Sequence, residues 1–343
     1  MKKVSIIIPC FNAGPFLQQC LNSLLLQTYK DIQIICIDDG STDQTPQILA
    51  DYAAKDPRIQ VITQDNHGIS AARNAGLKVA TGNYVAFVDA DDWLEADTLQ
   101  KVLTGHHEDI ICFSYYRNFD NAEVVKDLGI EGVFPAELVQ RRMVGLIGKE
   151  LTRITSFDAL ITCWGKLYRR EIIQEVKFRD LKDFGTWEDG IFNLEVLENA
   201  DNVRIINKPF YHYRKVAQAT YTSSWKEGLY LKWVYKFGWI EAFLRSRHKP
   251  EVYFVALENR IAVTFLNLAF NEMNSGKSFT EKKKGLKKMM EHPVYLKAFN
   301  RFQLKEVPMV WKPFYYLAKK GNAYGVTRMA SIIHRLANRN SRK

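Results

Sequence analysis

The first hundred residues alternate between short apolar runs and amphipathic segments, and this alternation constrains the fold more than any other feature of the chain. The apolar runs are typical of buried strands, and the segments between them carry apolar residues at helical spacing. We therefore predict an α/β fold with a parallel sheet and helices on both faces. The predicted strands are Val4–Ile8, Ile32–Ile37, Arg58–Ile62 and Tyr84–Val88, and the predicted helices begin near Pro15, at Thr42 or Asp43, and at Ser70.

The fourth predicted strand ends in three carboxylates, Asp89, Asp91 and Asp92. Open α/β sheets bind ligands at the carboxyl ends of their strands. Clustered carboxylates repel one another, and hard oxygen ligands suit Mg²⁺ or Mn²⁺, which in turn bind substrate phosphates. This segment therefore predicts a metal-bridged diphosphate site that uses Asp89 and Asp91.

Other side chains are expected at the same edge of the sheet. Asp38 and Asp39 follow the second strand, where a carboxylate can accept an N–H from a base or be an ordinary loop acid. Phe11 follows the first strand and can stack on a nucleobase or fill the loop. Arg73 lies at the start of the third helix, where it can reach a nucleotide, close the acidic site or remain solvated.

A second group of charged residues lies farther along the chain. Glu188 and Asp189 are adjacent at a predicted helix start, where acids also simply complement the helix dipole. His212 and Arg214 lie in an aromatic stretch, in which a lone histidine is more often a core residue than a ligand. From residues alone, the chemistry of this group stays open.

The distribution of charge and the cysteine content limit the classes of protein to which this chain can belong. Residues 1–220 carry 24 Lys and Arg against 30 Asp and Glu, and residues 221–343 carry 24 against 8, so net charges of −6 and +16 give the total of +10. A basic tract of this kind indicates a polyanionic partner such as a membrane surface, nucleic acid or acidic glycan. Of five widely spaced cysteines, Cys10, Cys20 and Cys36 lie in apolar strand or helix patterns and are predicted to be buried thiols, which fits a reducing cytosol. The first apolar stretch is too short for a signal peptide.

Five ordered strings in residues 1–100 resemble the inverting family 2 glycosyltransferases of GT-A fold. Two later strings, residues 163–168 and 187–189, resemble members of that family that build bacterial surface polysaccharides such as capsule, O-antigen and lipooligosaccharide. The resemblance covers about residues 1–215. The five strings are Val4–Asn12, Gln27–Tyr29, Ile37–Asp43, Gly68–Asn74 and Phe87–Trp93.

The resemblance implies a site for the base of a nucleotide sugar. Phe11 would pack on the uracil ring, with Pro9 shaping the same loop. Asp39 would accept the uracil N–H, a contact that thymine would make equally well. Arg73 would lie beside the base.

The resemblance also implies the residues of the reaction centre. Asp89 would face the ribose and the Mn²⁺ or Mg²⁺ ion, and Asp91 would coordinate that ion. Asp189 would be the catalytic base, and Glu188 would bind or orient the acceptor. Two further roles are implied, with His212 completing the metal shell and Arg214 neutralising the departing diphosphate.

These roles together imply a metal-dependent inverting glycosyltransferase. It would move a hexose or N-acetylhexosamine from a UDP-sugar to a hydroxyl of a surface glycan or lipid-linked acceptor by single displacement. A non-catalytic nucleotide-sugar-binding scaffold of the same fold is the alternative. A nucleotidyltransferase is disfavoured because residues 9–15 hold only Gly14 where a glycine-rich phosphate loop would be needed.

The chain is expected to have three parts: residues 1–100 bind the donor, residues 101–220 bind the acceptor and hold the catalytic residues, and residues 221–343 form a basic α-helical region. That region lacks a recognisable nucleic-acid-binding module. Its aromatic residues could lie at the inner face of the cell membrane, form the core of a helical bundle or form a homodimer interface. The protein is thus expected in the cytoplasm, with or without peripheral membrane contact. The aromatic residues are Trp225, Trp233, Trp239, Trp311, Phe314, Tyr315 and Tyr316.

Overall fold

A computed structural model of the protein describes residues 2–156, 158–180, 187–215 and 225–340. The chain divides into two compact units. The first comprises Met1–Gln140 and Asp158–Ala217, and the second comprises Arg141–Phe157 and Gln218–Lys343. The inclusion of residues 141–157 with the C-terminal helices was not predicted from the sequence.

The N-terminal half of the first unit is the predicted parallel sheet, with strand order β3-β2-β1-β4. Its central strands are apolar almost throughout because helices cover both faces of a parallel sheet. The predicted strands and helices are confirmed, with ends shifted by up to three residues. The elements are β1 (Val4–Cys10), α1 (Gly14–Leu25), β2 (Ile32–Asp39), α2 (Thr45–Ala53), β3 (Ile59–Gln64), α3 (Ile69–Val79) and β4 (Tyr84–Phe87).

The start of α2 differs from the prediction. Neither Thr42 nor Asp43 is its N-cap, which is Gln44. The Asp43 carboxylate instead accepts the backbone N–H groups of Thr45, at 2.9 Å, and of Gly14, at 3.0 Å. Asp43 therefore ties together the first residues of α1 and α2.

The remainder of the first unit makes the sheet mixed. Strand β9 runs antiparallel between β4 and β6, while β10 pairs parallel with β6 and antiparallel with β5 and β8. The elements are β5 (Trp93–Leu94), α4 (Thr98–Leu103), β6 (Ile110–Phe119), β7 (Ala122–Lys126), β8 (Gly132–Pro135), α5 (Ala136–Val144), β9 (Lys166–Arg169), α6 (Arg170–Ile173), α7 (Glu188–Val196) and β10 (Asn202–Arg214).

The end of β10 matters most for function. In the antiparallel register of β10 with β5, His212 faces Trp93. This pairing brings the C-terminal end of β10 beside the acidic segment that follows β4, although more than a hundred residues separate the two in sequence.

The second unit is helical. Its long helix α9 packs against α8, α10, α11 and α13. The elements are a 3₁₀ segment (Gly148–Ser156), α8 (Leu229–Ser246), α9 (Glu251–Met273), α10 (Phe279–Glu291), α11 (Pro293–Arg301), α12 (Lys312–Lys319) and α13 (Ala323–Asn340).

Helix α9 is the one described helix that is long and apolar enough to cross a membrane, with a mean hydropathy of 1.2. However, 78% of that stretch is buried inside the protein, as in a core helix. Among the aromatic residues singled out in this region, Trp233, Phe314 and Tyr315 are also buried, so they form core and not a membrane-facing surface. Tyr316 is exposed.

The predicted burial of Cys10, Cys20 and Cys36 is confirmed. All five thiols, those of Cys10, Cys20, Cys36, Cys112 and Cys163, are buried and unpaired.

Candidate active site

A cavity of about 460 Å³ lies at the carboxyl ends of β1, β2 and β4. It is lined by five of the residues singled out from the sequence: Pro9, Phe11, Asp39, Asp89 and Asp91. Some of the other lining residues come from the loop before α3 and from the first turns of α1 and α3, and no role was predicted for them. They include Phe16, Asn66, Gly68, Ile69 and Ala72.

The aromatic wall of the cavity is Phe11, whose side chain is 52% exposed. An apolar ring left this open at the mouth of a cavity is available to stack on a planar ligand. Its loop is held by the next residue, because the Asn12 side-chain oxygen accepts the backbone N–H of Thr42 at 2.8 Å. The loops after β1 and β2 are thus fastened to each other.

Asp39 is buried at the opposite wall, and its orientation is set by the loop before α3. Its Oδ2 accepts the N–H of Gly68 at 2.8 Å, while Oδ1 accepts the N–H of His67 at 3.0 Å and the Gln64 amide at 2.7 Å. An ionised carboxylate has about four acceptor positions. One position on Oδ2 is therefore left for a ligand N–H.

The three carboxylates after β4 have different surroundings. Asp92 is fully buried and accepts the Tyr211 hydroxyl at 2.6 Å and the Arg214 N–H at 2.8 Å, so it anchors β10. Burial raises the pKa of Asp89 to about 6 against the opposing Arg73 charge, and burial also raises the pKa of Asp91. Asp89 and Asp91 are the pair that faces the cavity.

Arg73 is 2% exposed and joins three carboxylates. Its Nη2 donates to Asp89 at 3.0 Å, and its Nη1 lies 2.7 Å from Asp189 Oδ1 and 3.5 Å from Glu188 Oε1. Of the roles considered for this residue, the structure supports closure of the acidic site. The expected position of Arg73 beside a nucleotide base stays a prediction.

Asp189 lies in the first turn of α7 and is held on both oxygens. Oδ1 binds Arg73, and Oδ2 accepts the N–H of Cys163 at 2.9 Å. The Asp189 carbonyl accepts the Asn193 amide at 2.8 Å. Sequence reasoning missed Cys163 as a partner, because a backbone N–H leaves no signature in residue type.

The residues on either side of this acidic pair constrain its position. Trp187 adopts a φ of +85°, which is uncommon for a non-glycine residue and characteristic of functional turns. A Cβ added at Gly190 would lie 2.4 Å from the Trp187 ring, so a side chain there would displace the indole. Glycine at position 190 thus allows the tight turn that presents Glu188 and Asp189.

His212 lies in an aromatic stack. Its ring is 4.7 Å from those of Trp93 and Tyr116, and its nitrogens lie 2.9 Å from Glu95 Oε1 and 3.2 Å from Asn118 Oδ1. It does not join Asp89 and Asp91 as expected, and the described residues contain no cluster of three or more His, Cys, Asp or Glu side chains arranged for a metal ion. The physical reason is that both ring nitrogens already have partners.

Arg214 contacts the acidic segment that follows β4 directly. Its guanidinium lies 4.9 Å from the ring centroid of Phe16 and 4.6 Å from that of Trp93, and its Nε donates to the Asp91 carbonyl at 2.8 Å. A fixed positive charge therefore lies beside Asp91.

The acidic pair fits a divalent cation. Asp89 and Asp91 offer hard oxygen donors at the cavity wall, and a Mg²⁺ ion commonly takes only one or two protein carboxylates together with substrate phosphates. Burial raises the pKa of both carboxyl groups although Arg73 and Arg214 lie beside them, and a bound divalent cation would favour their charged forms further.

Glu188→Gln is expected to change how stability depends on pH. Burial, and secondarily Asp189, raises the pKa of Glu188 from 4.5 to about 7. Between those values the folded protein retains a proton that the unfolded chain has lost, so the free energy of unfolding falls as pH rises through 7. The variant should therefore be more stable than wild type at pH 8, by up to about 3 kcal/mol, and equal near pH 4. Urea unfolding at the two pH values measures this, and equal gains at both would contradict it.

The fold and site are those of an α/β protein with an acidic cavity at the carboxyl edge of its parallel strands. The profile of glycosyl transferase family 2 matches residues 5–176. The chain belongs to that family and has its GT-A fold.

Several bacterial proteins are similar to it. Glycosyltransferase GlyA of Streptococcus pneumoniae is 36% identical over 68% of this chain and 33% of its own length. The uncharacterized glycosyltransferase EpsJ of Bacillus subtilis is 34% identical over 62% of this chain and 61% of its own. The chain therefore spans a third to three fifths of these relatives.

The crystal structure of residues 1–349 of TarS from Staphylococcus aureus, in complex with UDP-GlcNAc, has the same fold. It superposes with a TM-score of 0.57 over 98% of this chain and 92% of that chain, at 19% identity. TarS is a poly(ribitol-phosphate) β-N-acetylglucosaminyltransferase.

Proposed function

We propose that the protein transfers a hexose or N-acetylhexosamine from a UDP-sugar to a hydroxyl of a cell-surface glycan or lipid-linked acceptor, with inversion and in the presence of Mg²⁺ or Mn²⁺. The observation that carries this proposal is the buried Arg73, which links Asp89 at the cavity to Glu188 and Asp189. The Arg73 guanidinium thereby brings Asp89, at the proposed donor site, and Asp189, the candidate base, into a single centre.

The donor end is supported by Phe11 and Asp39. Phe11 would stack on the uracil ring, and the free acceptor position on Asp39 Oδ2 would take the N3–H, with Pro9 closing the loop. Thymine offers the same N–H, so this contact alone does not distinguish UDP from dTDP.

At the other end of the donor, Asp89 and Asp91 would hold the divalent ion. When bound, that ion would supply positive charge to the diphosphate. Arg214, beside Asp91, would add a second positive charge where negative charge develops on the leaving group.

Asp189 would act as the general base. It would accept the proton of the acceptor hydroxyl as that oxygen bonds to the anomeric carbon, while the bond from that carbon to the UDP oxygen breaks with its electron pair. A single displacement inverts the anomeric centre. Glu188, which is mostly protonated below its raised pKa of about 7, could donate a hydrogen bond to the acceptor.

The acceptor class rests on the relatives. TarS acts on poly(ribitol phosphate), and a 32% identical protein of Borreliella burgdorferi is a cholesterol galactosyltransferase. Acceptors of both kinds are surface or membrane molecules. We propose a cytoplasmic enzyme, with or without peripheral contact at the inner face of the cell membrane.

Calorimetric titration with UDP tests the proposed base site. Phe11→Ala should weaken UDP binding about 5- to 100-fold, because stacking of a base on an aromatic ring contributes about 1–3 kcal/mol. Phe119→Ala is the matched control, since Phe119 is 47% exposed and does not line the cavity. Equal UDP affinity in the Phe11 and Phe119 variants would contradict the proposed site.

A further inference from the structure

Helix α13 in the second unit has an exposed apolar strip. Tyr324, Ile332 and Leu336 are 54%, 52% and 56% exposed, and their spacing of eight and four residues places them on one face. The other face packs into the unit through residues such as Val326 and Ala330. An apolar face that remains exposed while its helix is already packed indicates a second contact surface.

The strip is interleaved with cations. Arg328 lies one turn from Tyr324, and its Nη1 is 3.4 Å from the tyrosine hydroxyl. Tyr316 is exposed on the neighbouring α12. The ammonium of Lys320, the residue that follows this helix, lies 5.9 Å from the Tyr316 ring centroid. Tyrosines paired with basic side chains beside exposed aliphatic residues are the composition of an interfacial helix.

The charge of this region is of one sign. Eight Lys or Arg and no Asp or Glu follow Glu306. The preceding loop adds Met309 and Val310, which are 77% and 68% exposed. A second copy of the chain would bring the same positive charge to the contact, and a polyanionic glycan would leave the apolar side chains in water. An anionic bilayer satisfies both features.

We propose that Tyr316, Tyr324, Arg328, Ile332 and Leu336 form a membrane-binding surface for anionic lipid. The aliphatic side chains enter the boundary between headgroups and acyl chains, the tyrosines lie at headgroup level, and the basic side chains contact lipid phosphates. This inference rests on the proposed function in one respect, because a membrane-associated acceptor would explain why the enzyme binds a membrane. Its binding needs neither donor nor acceptor.

Flotation of the full chain with phosphatidylcholine vesicles, with and without phosphatidylglycerol, tests the surface. We expect binding to the anionic vesicles that weakens as salt increases. Ile332→Ser with Leu336→Ser should reduce binding at least about tenfold, and Arg328→Gln about fivefold. The matched control is Leu231→Ser with Tyr235→Ser, because these α8 residues are equally exposed at 54% and 57%.

Three results would overturn the surface: no binding to anionic vesicles, equal loss in the control, or binding that is unchanged in the strip variants. Concentration-dependent dimerisation of wild type that the strip variants abolish, without lipid binding, would assign the strip to a second copy. UDP-sugar hydrolysis without vesicles is measured in every variant and should not change. Vesicle binding by a protein that hydrolyses no donor would retain the surface and reject the proposed function.

Discussion

Asp189→Asn is expected to lower kcat for sugar transfer by about 10²- to 10⁴-fold, the usual contribution of a general base. The amide keeps the shape of the carboxylate and can still accept the Cys163 N–H, but it cannot take a proton. Because Asp189 does not line the donor cavity, the affinity for UDP should change little. Transfer kinetics with a saturating donor, together with calorimetric titration of UDP, measure the two quantities separately.

Glu188→Gln is the matched control for that experiment. It alters the adjacent carboxylate in the same helical turn and at the same guanidinium, so any general disturbance of the centre should affect both variants. We expect the Glu188 variant to raise KM for the acceptor more than it lowers kcat. The reverse pattern, with kcat lost at position 188 and retained at 189, would assign the base to Glu188.

Arg73→Met is expected to have the largest effect on stability, a loss of about 3–5 kcal/mol in the free energy of unfolding. The substitution removes the positive charge that is shared by Asp89, Glu188 and Asp189 and leaves these acids together with little solvent. Urea denaturation near pH 8, where the acids are most fully ionised, gives the clearest reading.

A partly exposed ion pair in the same unit controls for loss of an arginine as such. Arg58 binds Asp56 at 2.7 Å with 26% of its side chain exposed, and Arg58→Met should cost no more than about 1 kcal/mol. Adding Asp189→Asn to Arg73→Met should recover part of the lost stability, because one uncompensated carboxylate is removed. A loss at Arg73 no larger than that at Arg58 would contradict the central role of this cation.

The parallel half of the sheet could be predicted because its signal is local. Continuous apolar runs such as those of β1 and β2, separated by amphipathic segments, specify buried strands and covering helices without reference to distant residues. The positions of Phe11, Asp39, Asp89 and Asp91 then follow from the rule that parallel strands end at a common edge. The cavity brings these four residues together.

The second half of the site depends on long-range pairing, which no local pattern encodes. Asp92 looked like a third acid of the cluster, but its partner Tyr211 lies 119 residues away in β10. Arg73 contacts Asp189 across 116 residues. Strand β10 itself mixes polar and aromatic residues because only part of its length is buried, so it lacked the apolar run of β1.

His212 shows how composition can mislead. The family resemblance implied a metal ligand at His212, whereas its aromatic neighbours in the sequence favoured a core residue. The structure supports a core position for His212, because its ring lies between those of Trp93 and Tyr116. In the second unit, likewise, the buried Phe314 and Tyr315 could not be told from the exposed Tyr316 without the packing of α12.

The most direct test of the account is release of UDP or dTDP from a panel of nucleotide sugars, with Mn²⁺ or with EDTA. Wild type is compared with Asp91→Ala and with Asp97→Ala, because Asp97 pairs with Lys101 and does not line the cavity. We expect that one UDP-sugar is hydrolysed with Mn²⁺, that EDTA and Asp91→Ala each abolish the release, and that Asp97→Ala leaves it intact. Release that persists in EDTA and in the Asp91 variant would contradict a metal-assisted diphosphate site, and failure to release or bind any nucleotide sugar would contradict the transferase itself.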